Sequence, residues 1–351
     1  MIHAPQALAF GVSDGPKPVA AELRTESMPI STPTRRLGAP LLALSLLGAT
    51  LLAACSPVKL VNKLTPDDTY VTDGGVAYGS EPRQSLDVYR PLPQTAPAEG
   101  KRPLIVFFYG GTWSSGDRSM YKFVGEALAS RGAVVVIPDY RLSPQVTYPV
   151  FVKDSALAMK WGFDNAARLG ADPQQVYVMG HSSGAYNAAM LALDARWLGE
   201  LGDSPKQLAG WIGLAGPYDF LPIGDPQAQE AFNWPRTPRD SQPIEHATAA
   251  SPRALLMAAS KDKLVDPARN TEQMATLLRT AGVKVETKEF DNLSHITLIG
   301  AMAKPVRWIG GPVLPPILEF VGLAPKTADT ISGESPSPTA VSTATNTRAT
   351  Q

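Results

Sequence analysis

The sequence predicts an α/β fold: a mostly parallel central sheet with helices on both faces and a short cap insertion. Two observations carry this. Short apolar runs, several of them rich in β-branched and aromatic residues, recur between about 104 and 259, as buried parallel strands require. Between them lie longer stretches with apolar residues at helical spacing, several of which stop at a glycine.

The elements follow in order. Leu104–Tyr109 (LIVFFY) reads as a strand ended by Gly110-Gly111. Ser119–Arg131 reads as a helix with Met120, Val124 and Leu128 on one face and Gly132 as its stop. Ala133–Ile137 is a second strand, halted at Pro138-Asp139. Val150–Leu169 is helical, with Val152, Ala156, Met159, Phe163 and Ala166 facing inward and Gly170 closing it. Val176–Met179 is a third strand, and a helix of small residues starts at Ser183. Gly210–Leu214, Ala254–Ala259 and Val283–Phe290 are further strands. A helix over Ala268–Ala281 lies between the last two, and a final helical region ends near Val321. Tyr70–Tyr78 and Ser85–Tyr89 suit an antiparallel pair at the sheet edge.

Composition narrows the function classes. Lys+Arg and Asp+Glu are equal at 32 each, which argues against nucleic acid as a partner. The one cysteine, Cys55, excludes an internal disulfide. It follows Arg35-Arg36 and the uncharged stretch Leu37–Ala54. A basic region, an apolar run interrupted by Pro40 and small exit residues suit a secretory signal better than a membrane span. Leu52-Ala53-Ala54-Cys55 resembles the lipobox of bacterial lipoproteins. That resemblance implies lipidation of the Cys55 thiol and a cell-envelope location, the chain anchored to a bacterial membrane. A start at Met28 rather than Met1 would give the signal an ordinary length.

The chain therefore divides into an extension and signal over 1–54, a tether over 55–68, a folded α/β domain over 69–323 and a tail over 324–351. The tail is rich in Pro, Ser, Thr and Ala and is expected to be disordered.

Gly180-His181-Ser182-Ser183-Gly184 fits G-x-S-x-G, placed after a strand and at the start of a helix. That context makes Ser182 the candidate nucleophile. Gly180 and Gly184 are needed where side chains would meet neighbouring backbone. A serine hydroxyl needs a base, and histidine suits neutral pH. Beyond residue 54 the histidines are His181, His246 and His295. His181 adjoins the serine on the turn and should point away from its hydroxyl, and His246 lies in a polar connection. His295 follows the last strand, where the order Ser, acid, His places the base. The acid should follow Ala254–Ala259. Asp262 is nearer that strand's end, whereas Asp266 precedes Pro267 and suits a helix cap. For the oxyanion hole, Ser183 supplies one backbone N–H, and Gly111 and Thr112 are both candidates for the other.

With these residues in view, YGGTWSSGD (109–117) resembles the HGGGWxxGD loop of bacterial α/β-hydrolase esterases. PDYRLSP (138–144), GHSSGAYNAAMLALD (180–194), GPYDF (216–220) and KDKLVDP (261–267) are similar to stretches of the carboxylesterase, hormone-sensitive-lipase-like and feruloyl-esterase-like groups. The resemblance covers about residues 80–322 and implies an α/β-hydrolase fold.

The sequence departs from that pattern at three positions. Tyr109 stands in place of His, Thr112 in place of Gly, and Ser260 in place of a Gly before the acid loop. Thr112 would be strained if its φ is positive. Asp139, Arg141 and Asp154 are expected as structural pairs. Residues 219–250 are expected as a cap, with Phe232, Trp234 and Pro235 candidates to line a pocket.

The expectation is a serine hydrolase of small-molecule carboxylic esters working through an acyl-enzyme, with no metal and no organic cofactor. Amidases, formamidases and peptidases share the triad, and a non-catalytic binding module is a third reading.

Overall fold

The computed structural model describes residues 57–93, 102–307 and 311–323. Cys55, the segment 1–54 and the tail 324–351 lie outside these described residues.

The strands, in chain order, are β1 (Tyr70–Ala77), β2 (Ser85–Pro91), β3 (Leu104–Phe108), β4 (Val134–Pro138), β5 (Val176–His181), β6 (Gly210–Leu214), β7 (Ala254–Ala259) and β8 (Val285–Phe290). They form one sheet in the order β1-β2-β4-β3-β5-β6-β7-β8. The first strands behave as the sequence suggests: β1 pairs antiparallel with β2, and β2 antiparallel with β4. From β4 onward neighbouring strands are parallel. Every residue of β3 to β7 is buried, as their unbroken apolar runs require. The edge strand β8 differs. It carries Glu286, Lys288 and Glu289 and is half exposed, and charge on an open edge discourages pairing with another chain.

The helices named here are α1 (Pro57–Leu64), α2 (Lys122–Ala129), α3 (Val150–Asn165), α4 (Ser183–Leu193), α5 (Ala195–Gly199), α6 (Pro226–Ala231), α7 (Gln273–Thr280), α8 (His295–Gly300) and α9 (Leu314–Phe320). Regular helix α3 is shorter than the periodic stretch in the sequence because its last turn is a glycine cap. Gly170 takes φ +77°, its N–H donates to the Ala167 carbonyl, and the Ala171 N–H reaches back to Ala166. Val152, Ala156, Met159 and Ala166 are buried as expected, while Phe163 is half-buried. Two other helices begin in tighter or looser turns than expected: a 3₁₀ turn over Arg118–Tyr121 precedes α2, and a π turn over Ala268–Glu272 precedes α7.

One segment departs from its expected character. Residues 57–64, expected as part of a tether, form helix α1. It is fixed to the domain by Asn62, whose side-chain amide donates to the Ser119 carbonyl at 2.7 Å.

Helix α4 lies in the interior, and each of its residues is buried. Its small side chains let it approach the sheet closely. A Cβ at Gly184 would lie 2.1 Å from the Phe108 carbonyl oxygen, and one at Gly180 would lie 2.1 Å from the Gly184 carbonyl oxygen. Both obstacles are backbone, so neither yields by a rotamer change. Gly184→Val should therefore cost about 3 kcal/mol of stability through forced separation of α4 from β3. A urea midpoint equal to wild type would refute this account of the packing.

Candidate active site

Each candidate side chain stands at the carboxyl end of a strand, where open α/β sheets bind ligands. Ser182 follows β5, Asp262 follows β7 and His295 follows β8. Ser182 has φ +55° and ψ −126°, a conformation that side-chain-bearing residues seldom adopt. The close approach at Gly180 and Gly184 holds it there, because the chain must reverse from strand to helix within one residue. A Cβ at Gly110 would come within 2.8 Å of the Ser182 Cβ, so the end of β3 closes the turn from the other side.

His295 is the first residue of α8, and the Ser294–Thr297 capping box fixes that helix start. Its Nδ1 donates to Asp262 Oδ2 at 2.7 Å. The other carboxylate oxygen, Asp262 Oδ1, accepts the Leu264 and Val265 N–H groups at 2.8 and 2.9 Å. The Asp262 side chain is 1% exposed. Burial pushes its pKa up, but the bond from His295, the Val265 N–H, the charge of His295 and the Leu264 N–H together bring it below the usual carboxylate range. With Nδ1–H committed to Asp262, the Nε2 lone pair of His295 is left to take a proton.

Asp266 does not join this pair. Its Oδ1 accepts from the Ala268 N–H at 2.9 Å, the capping role its position before Pro267 suggested. His246 donates to the Asp240 carbonyl at 2.7 Å, a bond within the cap.

Ser182, Ser183, Thr112 and His295 line one cleft of about 410 Å³, within the range of small-molecule sites. Thr112 has φ +51° and Trp113 φ +54°. The strain foreseen for a threonine in the place of glycine is therefore present, about 1–3 kcal/mol for such a residue. Gly111 has φ +142°, and a Cβ there would lie 2.1 Å from the Ser115 carbonyl oxygen. Of the two oxyanion candidates on this loop, Thr112 is the one that lines the cleft.

The Tyr109 departure has a structural account. Its ring stacks between Tyr121 and Tyr140, at 5.5 and 4.9 Å between centroids. Its hydroxyl donates to Asp139 Oδ1 and accepts from Arg83, both at 2.7 Å. Arg83 also donates to the Gly116 carbonyl, and Tyr140 donates to the Tyr109 carbonyl. Both ends of the loop 110–117 are thus held from beneath. Asp139 is paired with Arg118 as well, and Asp154 with Arg141 through two bonds of 2.8 and 2.9 Å.

The cap expectation needs correction at the residue level. Residues 219–225 do border the cleft, with α6 beside them, but Phe232, Trp234 and Pro235 do not line it. Phe232 is 1% exposed and packs against Trp113, Tyr148, Phe151, Tyr186 and Phe220. The apolar wall of the cleft is made instead by Trp113, Phe220, Pro222, Ile223 and Ala228. Residue type alone does not separate these: Phe232 fills the core behind that wall, while Trp234 is half-buried and Pro235 exposed away from the cleft.

Sequence reasoning missed Asn270 and Arg269, which hold the cap entrance. Asn270 Oδ1 accepts the N–H groups of Tyr218 and Asp219 at 2.6 and 2.9 Å, and its amide donates to the Asp266 carbonyl. Arg269 pairs with Asp219. Nothing in the local sequence marks either residue, since their partners lie some fifty positions away.

An eight-stranded, mostly parallel sheet carrying a serine on a strand-to-helix turn, with a histidine–carboxylate pair at the same sheet edge, is an α/β-hydrolase fold. Esterase B from Lactobacillus rhamnosis superposes with a TM-score of 0.63 at 18% identity, over 80% of this chain and 96% of that one. The BD-FAE family model matches residues 86–278, more than half of the sequence, and the chain belongs to that family. A probable isoprenylcysteine alpha-carbonyl methylesterase of Oryza sativa is 35% identical over 156 residues, 43% of this chain and 36% of that protein. Esterase LipC of Mycobacterium tuberculosis is 29% identical over 216 residues, 56% of this chain and 52% of that protein. The chain thus spans about half or less of the length of these curated relatives.

Buried His181 makes the stability of the domain pH-dependent. Burial, and then the neighbouring His295 charge, push its pKa down to about 3. The unfolded chain takes up this proton near the ordinary histidine value of about 6.5. The stability due to neutral His181 is therefore fully present above that pH and is lost as pH falls toward 3. Replacing it with an uncharged residue (His181→Gln) should reduce proton uptake on unfolding at pH 4–6 by about one. Urea titrations across that range would show the smaller slope, and identical slopes would contradict it.

Proposed function

We propose that this chain is a serine carboxylic-ester hydrolase acting through an acyl-enzyme. The single observation that carries the reading is that His295, bonded to the buried Asp262 carboxylate, lines the same cleft as Ser182. Ser182 Oγ attacks the ester carbonyl as His295 Nε2 takes its proton, and Asp262 stabilises the imidazolium that forms. The N–H groups of Ser183 and Thr112 hold the developing oxyanion. His295 then returns the proton to the leaving alcohol, and a water activated by the same nitrogen releases the acid.

The apolar wall of Trp113, Phe220, Pro222 and Ile223 suits the apolar part of a small ester in a cleft of this size, with Asp219, Asp225, Asp266 and Arg269 also lining it. The names borne by the curated relatives support ester over amide substrates.

The location is a second part of the proposal. The lipobox-like sequence before Cys55 supports lipidation of that thiol and attachment to a bacterial membrane. Metabolic labelling with a clickable palmitate analogue should mark the wild-type chain and spare Cys55→Ser. Equal labelling of the two would defeat the anchor.

Ser182→Ala should leave the fold intact and remove both p-nitrophenyl acetate hydrolysis and fluorophosphonate labelling; retained turnover would overturn the nucleophile assignment. Asp262→Asn should lower kcat about 10⁴-fold, as expected when the imidazole loses its tautomer partner. Asp266→Asn should change kcat little, so comparable losses in the two variants would contradict the choice of acid.

A further inference from the structure

His181 takes no part in the proton transfers, yet it sits where three parts of the site meet. It is the residue before Ser182 and the last residue of β5. It is 2% exposed. Its Nε2 lies 2.9 Å from the His295 carbonyl oxygen, so this nitrogen carries the proton and donates it. Its ring is 4.9 Å from the His295 ring, centroid to centroid. Its Nδ1 faces Gly110 closely enough that a Cβ there would meet it at 3.2 Å. The imidazole therefore touches the end of β3 that leads into the oxyanion loop, the start of α8 and the nucleophile turn it belongs to.

We propose that His181 is a positioning residue for the base: through its Nε2–H it fixes the His295 backbone relative to the Ser182 turn. This rests on the reading of Ser182 and His295 as nucleophile and base.

The physical case has three parts. His295 starts the short helix α8, reached by a loop from an edge strand that is half exposed, whereas Ser182 is rooted in the sheet interior. The Asp262 bond orients the ring but comes from the neighbouring β7 loop, so it does not refer the base to the nucleophile. The bond from His181 spans 114 residues of sequence and makes that reference directly. A buried donor given up here would also leave the His295 carbonyl without this partner. The ring must stay uncharged, since a second cation 4.9 Å away would oppose the imidazolium that His295 becomes during acyl transfer. Burial against the sheet and against Gly110 secures that.

Misplacing a reacting group by about 1 Å can cost about 10²-fold in rate. His181→Met keeps apolar bulk and removes the donor. With p-nitrophenyl acetate, its kcat should fall about 10²-fold while KM stays within about twofold of wild type. His181→Gln places an amide N–H near the reach of Nε2 and should recover most of that loss. A Met variant with wild-type kcat, or a Gln variant as slow as the Met variant, would overturn the proposal.

If the Met variant does not fold, His181→Asn, whose donor falls short of the carbonyl, takes its place beside His181→Gln under the same criteria. Hydrogen exchange of the segment 291–297 reads the tie without turnover. It should be faster in the Met or Asn variant than in wild type and close to wild type in His181→Gln; unchanged exchange in the donorless variant overturns the tie. A wild-type chain with no hydrolysis or fluorophosphonate labelling, but with this exchange pattern, would sink the esterase reading and leave the backbone tie standing.

Discussion

The structure depends on the contact between helix α4 and the strands beneath it. At Gly184 and Gly180 backbone meets backbone with no room for a Cβ. The chain can turn from β5 into α4 only if one residue takes a positive φ, and that residue is Ser182. The strain is local, of order 1–3 kcal/mol, and the burial of every residue of α4 offsets it. The loop 110–117 packs against the same turn through Gly110, so its position is inherited from the same contact.

A second layer of interactions sets the loops around that turn. Asp139 collects Tyr109, Arg118 and Arg83 under the loop 110–117. Asp262 collects His295 and two backbone N–H groups. Each is a buried carboxylate with several donors, which is what makes a desolvated charge tolerable. The tyrosine at 109 fits this scheme: its ring fills a stack of aromatics, and its hydroxyl joins the carboxylate cluster.

Much of this was legible in the sequence because it follows from local rules. The five interior strands are unbroken apolar runs, and Gly132, Gly170 and Gly282 each take the positive φ of a helix stop. Asp262 and Asp266 were separable because one lies next to a strand end and the other before a proline. What stayed hidden is set by distant partners. Residues 57–64 have only eight positions of pattern, and the docking bond from Asn62 that accompanies their helix reaches across 57 residues. Phe232 and Trp234 look like pocket residues by type, but which aromatic faces a cleft depends on packing that no local pattern encodes. Asn270 is invisible for the same reason.

The cap has a consequence for how such a protein diversifies. The stretch between β6 and β7 supplies much of the cleft wall, through Phe220, Pro222, Ile223 and Ala228, while the serine, carboxylate and histidine all sit elsewhere. Replacement of those wall residues can reshape what fits without touching Ser182, Asp262 or His295. The freedom has a boundary, because Asn270 binds the backbone of Tyr218 and Asp219 from the π turn that follows the Asp262 loop. Side chains past residue 219 can thus vary the shape of the cleft, whereas a change of loop length at 218–219 would pull on Asn270 and through it on the segment that carries Asp262 and Asp266.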